Sequence, residues 1–373
     1  MDSFDFDTVI VGAGAVGLAC GYSLSRRGLA VLVLESESAI GQGVSSRNSE
    51  VIHGGLYYRA DSLKSKLCVA GRRALYPFLE AHNVAYDRCG KLVVAANADE
   101  AARVDALFAQ AQANGVEGMR KLSRAEVRAL EPELKVEMAL LSPQSGVFDT
   151  HGYMNALQGE IEGAGGVVVL STLFEAARLL DGGGFHIVTG GAEPARLTSR
   201  LLIETAGLSA QAVAARVEGF PEEKIPPAHY GKGVYFRLQG RAPFRHLVYP
   251  PPHPGALGIH YRRDLGGQAV FGPDLTYVET LDYSVDPAAA SRFYAAIRKY
   301  WPELPDGSLA PDYAGIRPKI HGPNEAQPDY RIDGPLVHGI PGLVALFGIE
   351  SPGLTCSLAI GEEVSRILGY GSA

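Results

Sequence analysis

The sequence predicts an α/β fold with two kinds of sheet, one parallel and of nucleotide-binding style, the other mainly antiparallel. Three observations predict it. Thr8-Val9-Ile10-Val11 is a β-branched run that leads into Gly12-Ala13-Gly14-Ala15-Val16-Gly17 and a helical stretch, residues 18–27, stopped by Gly28. Ala30-Val31-Leu32-Val33-Leu34 is then a continuous apolar run closing on Glu35, and unbroken hydrophobicity marks a strand buried on both faces. Residues 230–283, in contrast, alternate apolar and polar positions, with turns at 250–254 and at Gly266-Gly267.

The first two runs form a βαβ unit of Rossmann type. Further along, residues 63–82 read as a helix, 91–96 as a strand, 99–114 as a helix and 123–130 as a short helix behind a capping Ser. Residues 166–170 read as another parallel strand, and 181–184 as a glycine-rich hairpin. Leu201-Leu202-Ile203 is a strand ending in the turn Thr205-Ala206-Gly207. The chain closes with a strand at 343–347, a glycine-rich turn and a helix at 354–368. Two discontinuous domains are expected: 1–85, 146–220 and 310–373 around a dinucleotide, and 86–145 with 221–309 around a substrate.

Composition narrows the function. In 373 residues, 46% hydrophobic and 20% charged, the balance is that of an ordinary globular protein with a large core. A net charge of −7 leaves no basic footprint for nucleic acid, so an anionic substrate requires Arg, Lys or His placed locally against the overall field. Cys20, Cys68, Cys89 and Cys356 form no CxxC pair, which argues against a metal centre or a disulfide scaffold and suits a reducing compartment. Residues 1–7 carry three acids and no base, so no signal peptide is read and a cytoplasmic location is expected. No apolar run approaches the ~18–20 residues of a membrane span. Peripheral membrane contact stays open.

The motif Gly12-x-Gly14-x-x-Gly17 permits a tight turn, close backbone approach and a helix N-terminus facing a pyrophosphate. Glu35, with Ser36 beside it, stands where a carboxylate accepts hydrogen bonds from ribose hydroxyls and repels a 2′-phosphate. NAD and FAD both fit that much. The following small polar segment, Gly41-Gln42-Gly43-Val44-Ser45-Ser46-Arg47-Asn48-Ser49, decides for FAD. Its continuation, Val51-Ile52-His53-Gly54-Gly55-Leu56-Tyr57-Tyr58, has two glycines that let the backbone lie flat against a ring. Before the last helix, Gly348-Ile349-Glu350-Ser351-Pro352-Gly353-Leu354-Thr355 would aim a helix N-terminus at a reduced flavin.

These three segments resemble the D-amino-acid-oxidase superfamily of FAD-dependent oxidoreductases, and within it the L-2-hydroxyglutarate dehydrogenase/oxidase group. Ser45-Ser46-Arg47-Asn48-Ser49-Glu50-Val51-Ile52-His53 through Tyr57-Tyr58 carries the likeness most specifically. Segments 142–149, 247–250, 257–261, 272–273 and 351–361 extend it over nearly the whole chain, and Thr205-Ala206-Gly207-Leu208 is similar to the family's flavin-contacting turn. Arg47 stands where the group commonly has His, Glu50 where it has Gly, Glu204 where it has a small or amide residue and Glu350 where it has Ala.

The resemblance implies non-covalent FAD and oxidation of an L-2-hydroxy acid, a dicarboxylate such as L-2-hydroxyglutarate, to the 2-keto acid. It implies flavin contacts from Gly12, Gly14, Ala15, Val16, Gly17, Glu35, Ser36, Ser45, Ser46, Asn48, Ser49, His53, Gly54, Gly55, Leu173, Ala206, Gly207, Gly348, Pro352, Gly353, Leu354 and Thr355. Arg317, in Gly315-Ile316-Arg317-Pro318, matches the arginine that holds the substrate carboxylate, for which a bidentate guanidinium is suited. His53 is either the base that takes the hydroxyl proton or a hydrogen-bond partner of the flavin. Tyr249, His260 and Tyr261 are expected to roof the pocket or else to be core residues, and Lys232 to bind a second carboxylate or else to be solvated. No metal is expected. Oxygen, a quinone and an electron-transfer protein all stay open as acceptors. The rival functions are a flavin-dependent amino-acid or amine oxidase and a flavin-binding protein without turnover.

Overall fold

The computed structural model describes residues 4–192, 194–252 and 258–371. Among them two large sheets face one cavity. The first, of eight strands, has at its centre the strand Phe6–Val11, paired in parallel with Val31–Leu34 on one side and Ala195–Glu204 on the other. Val167–Val169 extends it beyond Val31–Leu34, and Leu343–Phe347 lies parallel to the end of Ala195–Glu204. Each residue of Val31–Leu34 and Leu343–Phe347 is buried, as continuous apolar runs in a two-sided sheet must be. An antiparallel hairpin, Thr172–Leu179 with Phe185–Gly191, turns through the glycines at 182–184 and pairs with the first half of Ala195–Glu204.

Helices cover this sheet and carry the ends of the motifs. Ala15–Ser25 and Gly353–Ile367 lie against one another so closely that a Cβ at Gly361 would collide with the Ala19 carbonyl oxygen. The Ser23 and Ser365 hydroxyls, 2.8 Å apart, and the Arg27–Glu362 ion pair at 2.6 Å tie the same two helices. Helix Leu63–Ala81, capped by the Ser62 hydroxyl accepting from Ser65 N, packs on the other side of Gly353–Ile367 through Gly71, where a Cβ would strike Thr355 and Cys356. The N-terminal and C-terminal glycine motifs are thereby brought to the same end of the sheet.

The second sheet has nine strands in the order Thr276–Val278, His229–Leu238, Ala269–Phe271, Tyr261–Arg263, Leu247–Tyr249, Lys91–Ala95, Met138–Ser142 and Arg120–Ser123, with Leu309–Lys319 beside His229–Leu238. It is antiparallel except where Leu247–Tyr249 runs parallel to Lys91–Ala95. One face is packed by Phe236, Phe244, Phe271, Phe293 and Trp301, and the other meets helix Ala98–Ala113 through Val93, Leu140 and Leu107.

Strand Leu309–Lys319 corrects the expected boundary at 310. It pairs antiparallel with His229–Leu238 from Leu309↔Leu238 to Lys319↔His229 and so belongs to the substrate-side sheet. Its two prolines, Pro311 and Pro318, obscure it as a strand in sequence, since each removes a ladder donor. The turn expected at 250–254 falls partly on 253 and 254, outside the described residues, as does Leu257 of the segment 257–261.

Candidate active site

The cavity between the sheets has a volume of about 1550 Å³, more than the ~300–1,000 Å³ of a pocket for one small molecule. It runs from Glu35 and Leu173 at one end to Arg317 and Tyr277 at the other. At the first end, Gly12 sits at φ +104 beneath the Thr205 carbonyl, a conformation and approach open to glycine. Helix Ala15–Ser25 has Gly14 as its N-cap and no side-chain cap of the usual kind; Ser45 Oγ accepts from Ala15 N at 3.0 Å. Its amide end is open toward the cavity, the arrangement that receives a phosphate. Glu35 is 9% exposed and accepts from Ala13 N at 2.8 Å and from Glu37 N at 3.0 Å, so the acid and the glycine turn are braced together.

Gly14, Ala15, Val16, Ser36, Ser45, Asn48, Ser49, Leu173, Ala206 and Gly207 line this cavity with Gly12 and Glu35, and Gly348, Pro352, Gly353 and Leu354 line its middle. Of the remaining expected flavin contacts, His53 borders the cavity, while Gly17, Ser46, Gly54, Gly55 and Thr355 are not part of its lining. Gly17 closes the turn by letting the helix sit on the Gly12 carbonyl, and Gly54 and Gly55 face Ser142 and Val69. Ser46 points outward and donates to the Gln42 and Gly43 carbonyls. The Thr355 hydroxyl is spent on the backbone, donating to Val51 O at 3.2 Å and accepting from His53 N at 3.0 Å.

The segment 41–50 is tied to the second sheet. Asn48 Nδ2 donates to Ser45 O at 2.6 Å, Tyr313 Oη donates to Asn48 O at 2.6 Å, and the Ser49 and Tyr235 hydroxyls lie 2.8 Å apart. Tyr235 and Tyr313 stack at 4.2 Å. Glu50, at φ +53, meets Arg262 at 3.3 Å; burial raises its carboxyl and Arg262 opposes that shift. Arg47 also lines the cavity, its guanidinium 4.5 Å from the centre of the Tyr283 ring.

His53 and Arg317 border the same cavity. His53 Nε2 lies 3.3 Å from Ser351 Oγ, and its buried Nδ1 has no partner among the described residues. Burial above all, then the charges of Lys91 and His260, hold the imidazole well below the usual histidine range. Both causes favour the neutral form of the ring. Arg317 donates from Nη1 and Nη2 to the Asp274 carbonyl at 3.1 and 3.2 Å and meets no carboxylate among the described residues.

Tyr249 and His260 line the cavity as a stacked pair, 3.6 Å between centroids and 8° between planes. Tyr261 is corrected. Adjacent strand residues point to opposite faces, so it turns into the core and donates its hydroxyl to Phe244 O at 2.8 Å. Lys232 is corrected as well, since it pairs with Asp282 at 2.6 Å outside the cavity wall.

The sequence reasoning missed a charged cluster beside Arg317. Glu350 lines the cavity and accepts from Lys319 Nζ at 3.0 and 3.2 Å and from Gln327 Nε2 at 2.9 Å, with Lys64 at 3.7 Å. Burial would raise its carboxyl, but Lys319 and then Lys64 hold it below the usual range. One signal was present: residues 317 and 319 alternate on one strand and share a face.

This donor set suits a flavin dinucleotide. Two helix N-termini whose own N-cap residues offer no side-chain cap, Ala15–Ser25 and Gly353–Ile367, open on one cavity whose lining includes the acid Glu35 and the arginine Arg317. No group of His, Cys, Asp and Glu among the described residues could hold a metal, and no helix there is long and apolar enough to cross a membrane.

Comparison with known proteins agrees. A family described as DAO, FAD dependent oxidoreductase, matches residues 7–367. A relative from Arabidopsis thaliana named L-2-hydroxyglutarate dehydrogenase, mitochondrial, is 41% identical over 96% of this chain and 83% of its own. One from Salmonella houtenae named L-2-hydroxyglutarate dehydrogenase is 28% identical over 96% of this chain and 92% of its own. In fold, the chain is similar to L-alpha-glycerophosphate oxidase from Mycoplasma pneumoniae, solved with FAD bound, at a TM-score of 0.86 and 23% identity over 98% and 94% of the two chains. Glycine oxidase from Geobacillus kaustophilus aligns at a TM-score of 0.82 and 20% identity, over 100% and 96%.

Proposed function

Because the chain belongs to the DAO family of FAD-dependent oxidoreductases, we propose that it oxidises L-2-hydroxyglutarate to the 2-keto acid. The observation that carries this reading is the placing, in one cavity, of a part-buried histidine with a guanidinium that meets no carboxylate among the described residues. The names and identities of the Arabidopsis and Salmonella relatives support the same substrate.

Gly12, Gly14, Glu35, Ser45, Ala206 and Gly207 would hold the dinucleotide end of FAD, and Gly348, Pro352, Gly353 and Leu354 its ring end. When bound, the flavin supplies an acceptor for the hydride from the substrate Cα. Everything else falls to side chains. Arg317 binds the substrate carboxylate through two parallel N–H donors and so fixes the direction in which Cα–H points. His53 takes the hydroxyl proton at Nε2, the nitrogen on the Ser351 side. The stacked Tyr249 and His260 wall excludes water from the reacting centre.

Anaerobic bleaching of the flavin tests the reading. L-2-Hydroxyglutarate should reduce wild type ahead of malate, lactate and a neutral alcohol. Arg317→Lys keeps the charge but loses the paired donors, so KM should rise at least about tenfold and kcat fall with it. The flavin spectrum and melting temperature should stay near wild type. A neutral alcohol that reduces the flavin best, with no loss in Arg317→Lys, refutes the proposal.

A further inference from the structure

With Lys232 paired to Asp282 outside the wall, the second carboxylate of a dicarboxylate needs another cation in the cavity. Lys319 stands two residues beyond Arg317 on the strand Leu309–Lys319, so the two side chains leave the same face, and both line the cavity. Each crosses the neighbouring strand, His229–Leu238, where that strand has glycine. A Cβ built on Gly233 would come within 3.1 Å of Arg317 Nη1, and one on Gly231 within 2.9 Å of Lys319 Cε. In the ladder Arg317 pairs with Gly231 and Lys319 with His229, so both side chains slant two positions along the partner strand in the same direction. Their charged ends are therefore spaced as the two glycines are, about 7 Å apart. The end carboxylates of a five-carbon diacid can meet two cations so spaced.

Lys319 is 5% exposed, and a lysine ammonium has three donors to place. Glu350 receives it at Oε2 over 3.0 Å and at Oε1 over 3.2 Å, while the remaining contact, His321 Nε2 at 3.4 Å, is long for a hydrogen bond. Glu350 is itself shared: Lys64 Nζ lies 3.7 Å from Oε1, and Gln327 Nε2 donates to the same oxygen at 2.9 Å. Two ammoniums thus meet on one carboxylate, and of the two only Lys319 lines the cavity. The other acids at this end are engaged with backbone, Asp329 accepting from Leu63 N and Lys64 N, and Glu325 from Gly322 N at 2.9 Å. A buried ion pair adds little stability over an apolar pair of the same shape. Here it opens on the cavity beside the substrate arginine, where a cation has a chemical use.

We propose that Lys319 determines the specificity of the site: its ammonium binds the second carboxylate of the substrate while Arg317 holds the first. That role rests on the reading of the cavity as a site for a 2-hydroxy dicarboxylate, with Arg317 on the carboxylate next to the reacting carbon. Glu350 holds the ammonium in place and Gly231 leaves room for its stem. The incoming carboxylate takes the donor direction that His321 meets only at 3.4 Å. A diacid gripped at both ends has its Cα placed by two fixed charges. An acid with an apolar tail gains nothing from Lys319 and lays that tail against a buried ion pair, so the site selects against it.

The test compares FAD-loaded wild type with Lys319→Met and Arg317→Lys. Lys319→Gln, which can still donate to Glu350 but carries no charge, replaces the Met variant if that protein does not yield holoenzyme. Two pairs of acids differ only in the second carboxylate. Glutarate and pentanoate are titrated as inert ligands through the change in flavin absorbance, and L-2-hydroxyglutarate and L-2-hydroxypentanoate are compared by the anaerobic rate of flavin reduction at low substrate. Wild type should prefer the diacid in both pairs, and the neutral Lys319 variant should lose at least about tenfold of that preference. Arg317→Lys should weaken both members of each pair and leave their ratio near that of wild type. A neutral Lys319 variant that keeps the wild-type ratio overturns the proposal, even if both acids bind more weakly, because disturbed packing acts on both alike. A wild type indifferent between glutarate and pentanoate overturns it too. If no 2-hydroxy acid reduces the wild-type flavin, the substrate reading fails, and the glutarate-to-pentanoate ratio still decides the role of Lys319.

Discussion

Glu204, the residue before the turn Thr205-Ala206-Gly207, couples the stability of the fold to pH. It closes the strand Ala195–Glu204 at 1% exposure, and its carboxyl oxygens accept from Ala206 N at 2.7 Å and Leu346 N at 3.2 Å. Burial outweighs those two donors and pushes the carboxyl from an ordinary 4.5 up to about 8. Between those values the folded chain holds a proton that the unfolded chain has released. Stability from this group is therefore full below the unfolded value and is lost as pH rises through the folded one. Wild type should melt at progressively lower temperature from about pH 6 to 8.5, and Glu204→Gln, which has no proton to lose, should fall less. Parallel melting curves for the two proteins would show that Glu204 is already ionised in the fold. At this scale the sequence was legible where a motif held the residue, as with His53 and Arg317. Lys64, Lys319 and Glu350 come from three separate segments and meet through the topology, so apart from the alternation of 317 and 319 on one strand no spacing announces them.

At the scale of elements, close helix packing brings the two flavin segments together. Gly361 lets Gly353–Ile367 lie against Ala15–Ser25, and Ser23, Ser365, Arg27 and Glu362 join them along the seam. A methyl group at 361 must push the helices apart, because what it meets is backbone. Gly361→Ala should cost about 1–3 kcal/mol and weaken FAD retention together, since it moves the N-terminal ends of both helices. Gly159, inside helix Thr150–Gly163 with nothing within 4 Å of its would-be Cβ, is the control. There Ala should stabilise by about 0.5–1 kcal/mol. Thermal melts and FAD titrations of both variants check this, and a Gly361→Ala protein that binds FAD as tightly as wild type refutes it. The parallel strands and the helices around them were readable because their hydrophobic periods are unmixed. Leu309–Lys319 was not, because prolines at 311 and 318 hide a strand whose partner, His229–Leu238, supplies the ladder.

At the scale of the whole molecule, the dinucleotide site is a joint between two sheets. One wall comes from the turns after Phe6–Val11 and Ala195–Glu204, the other from Tyr249, His260 and Arg317 on the second sheet. Across the joint the described side-chain links include Tyr313 to Asn48, Tyr235 to Ser49 and Arg262 to Glu50. FAD bound there would rest on residues of both walls, so its binding free energy would add to the stability of the assembled protein and be absent from the unfolded chain. Free FAD at one hundred times its dissociation constant should then stabilise by about 2.7 kcal/mol, and the melting temperature should climb with added FAD. The same argument requires the flavin to leave when the walls come apart. Acid or heat should release all of it from the chain, and calorimetry of protein stripped in this way should show a lower and earlier transition that added FAD restores. Flavin that stays with the denatured chain, or a melting temperature indifferent to FAD, would mean that the cofactor is held by something other than this joint.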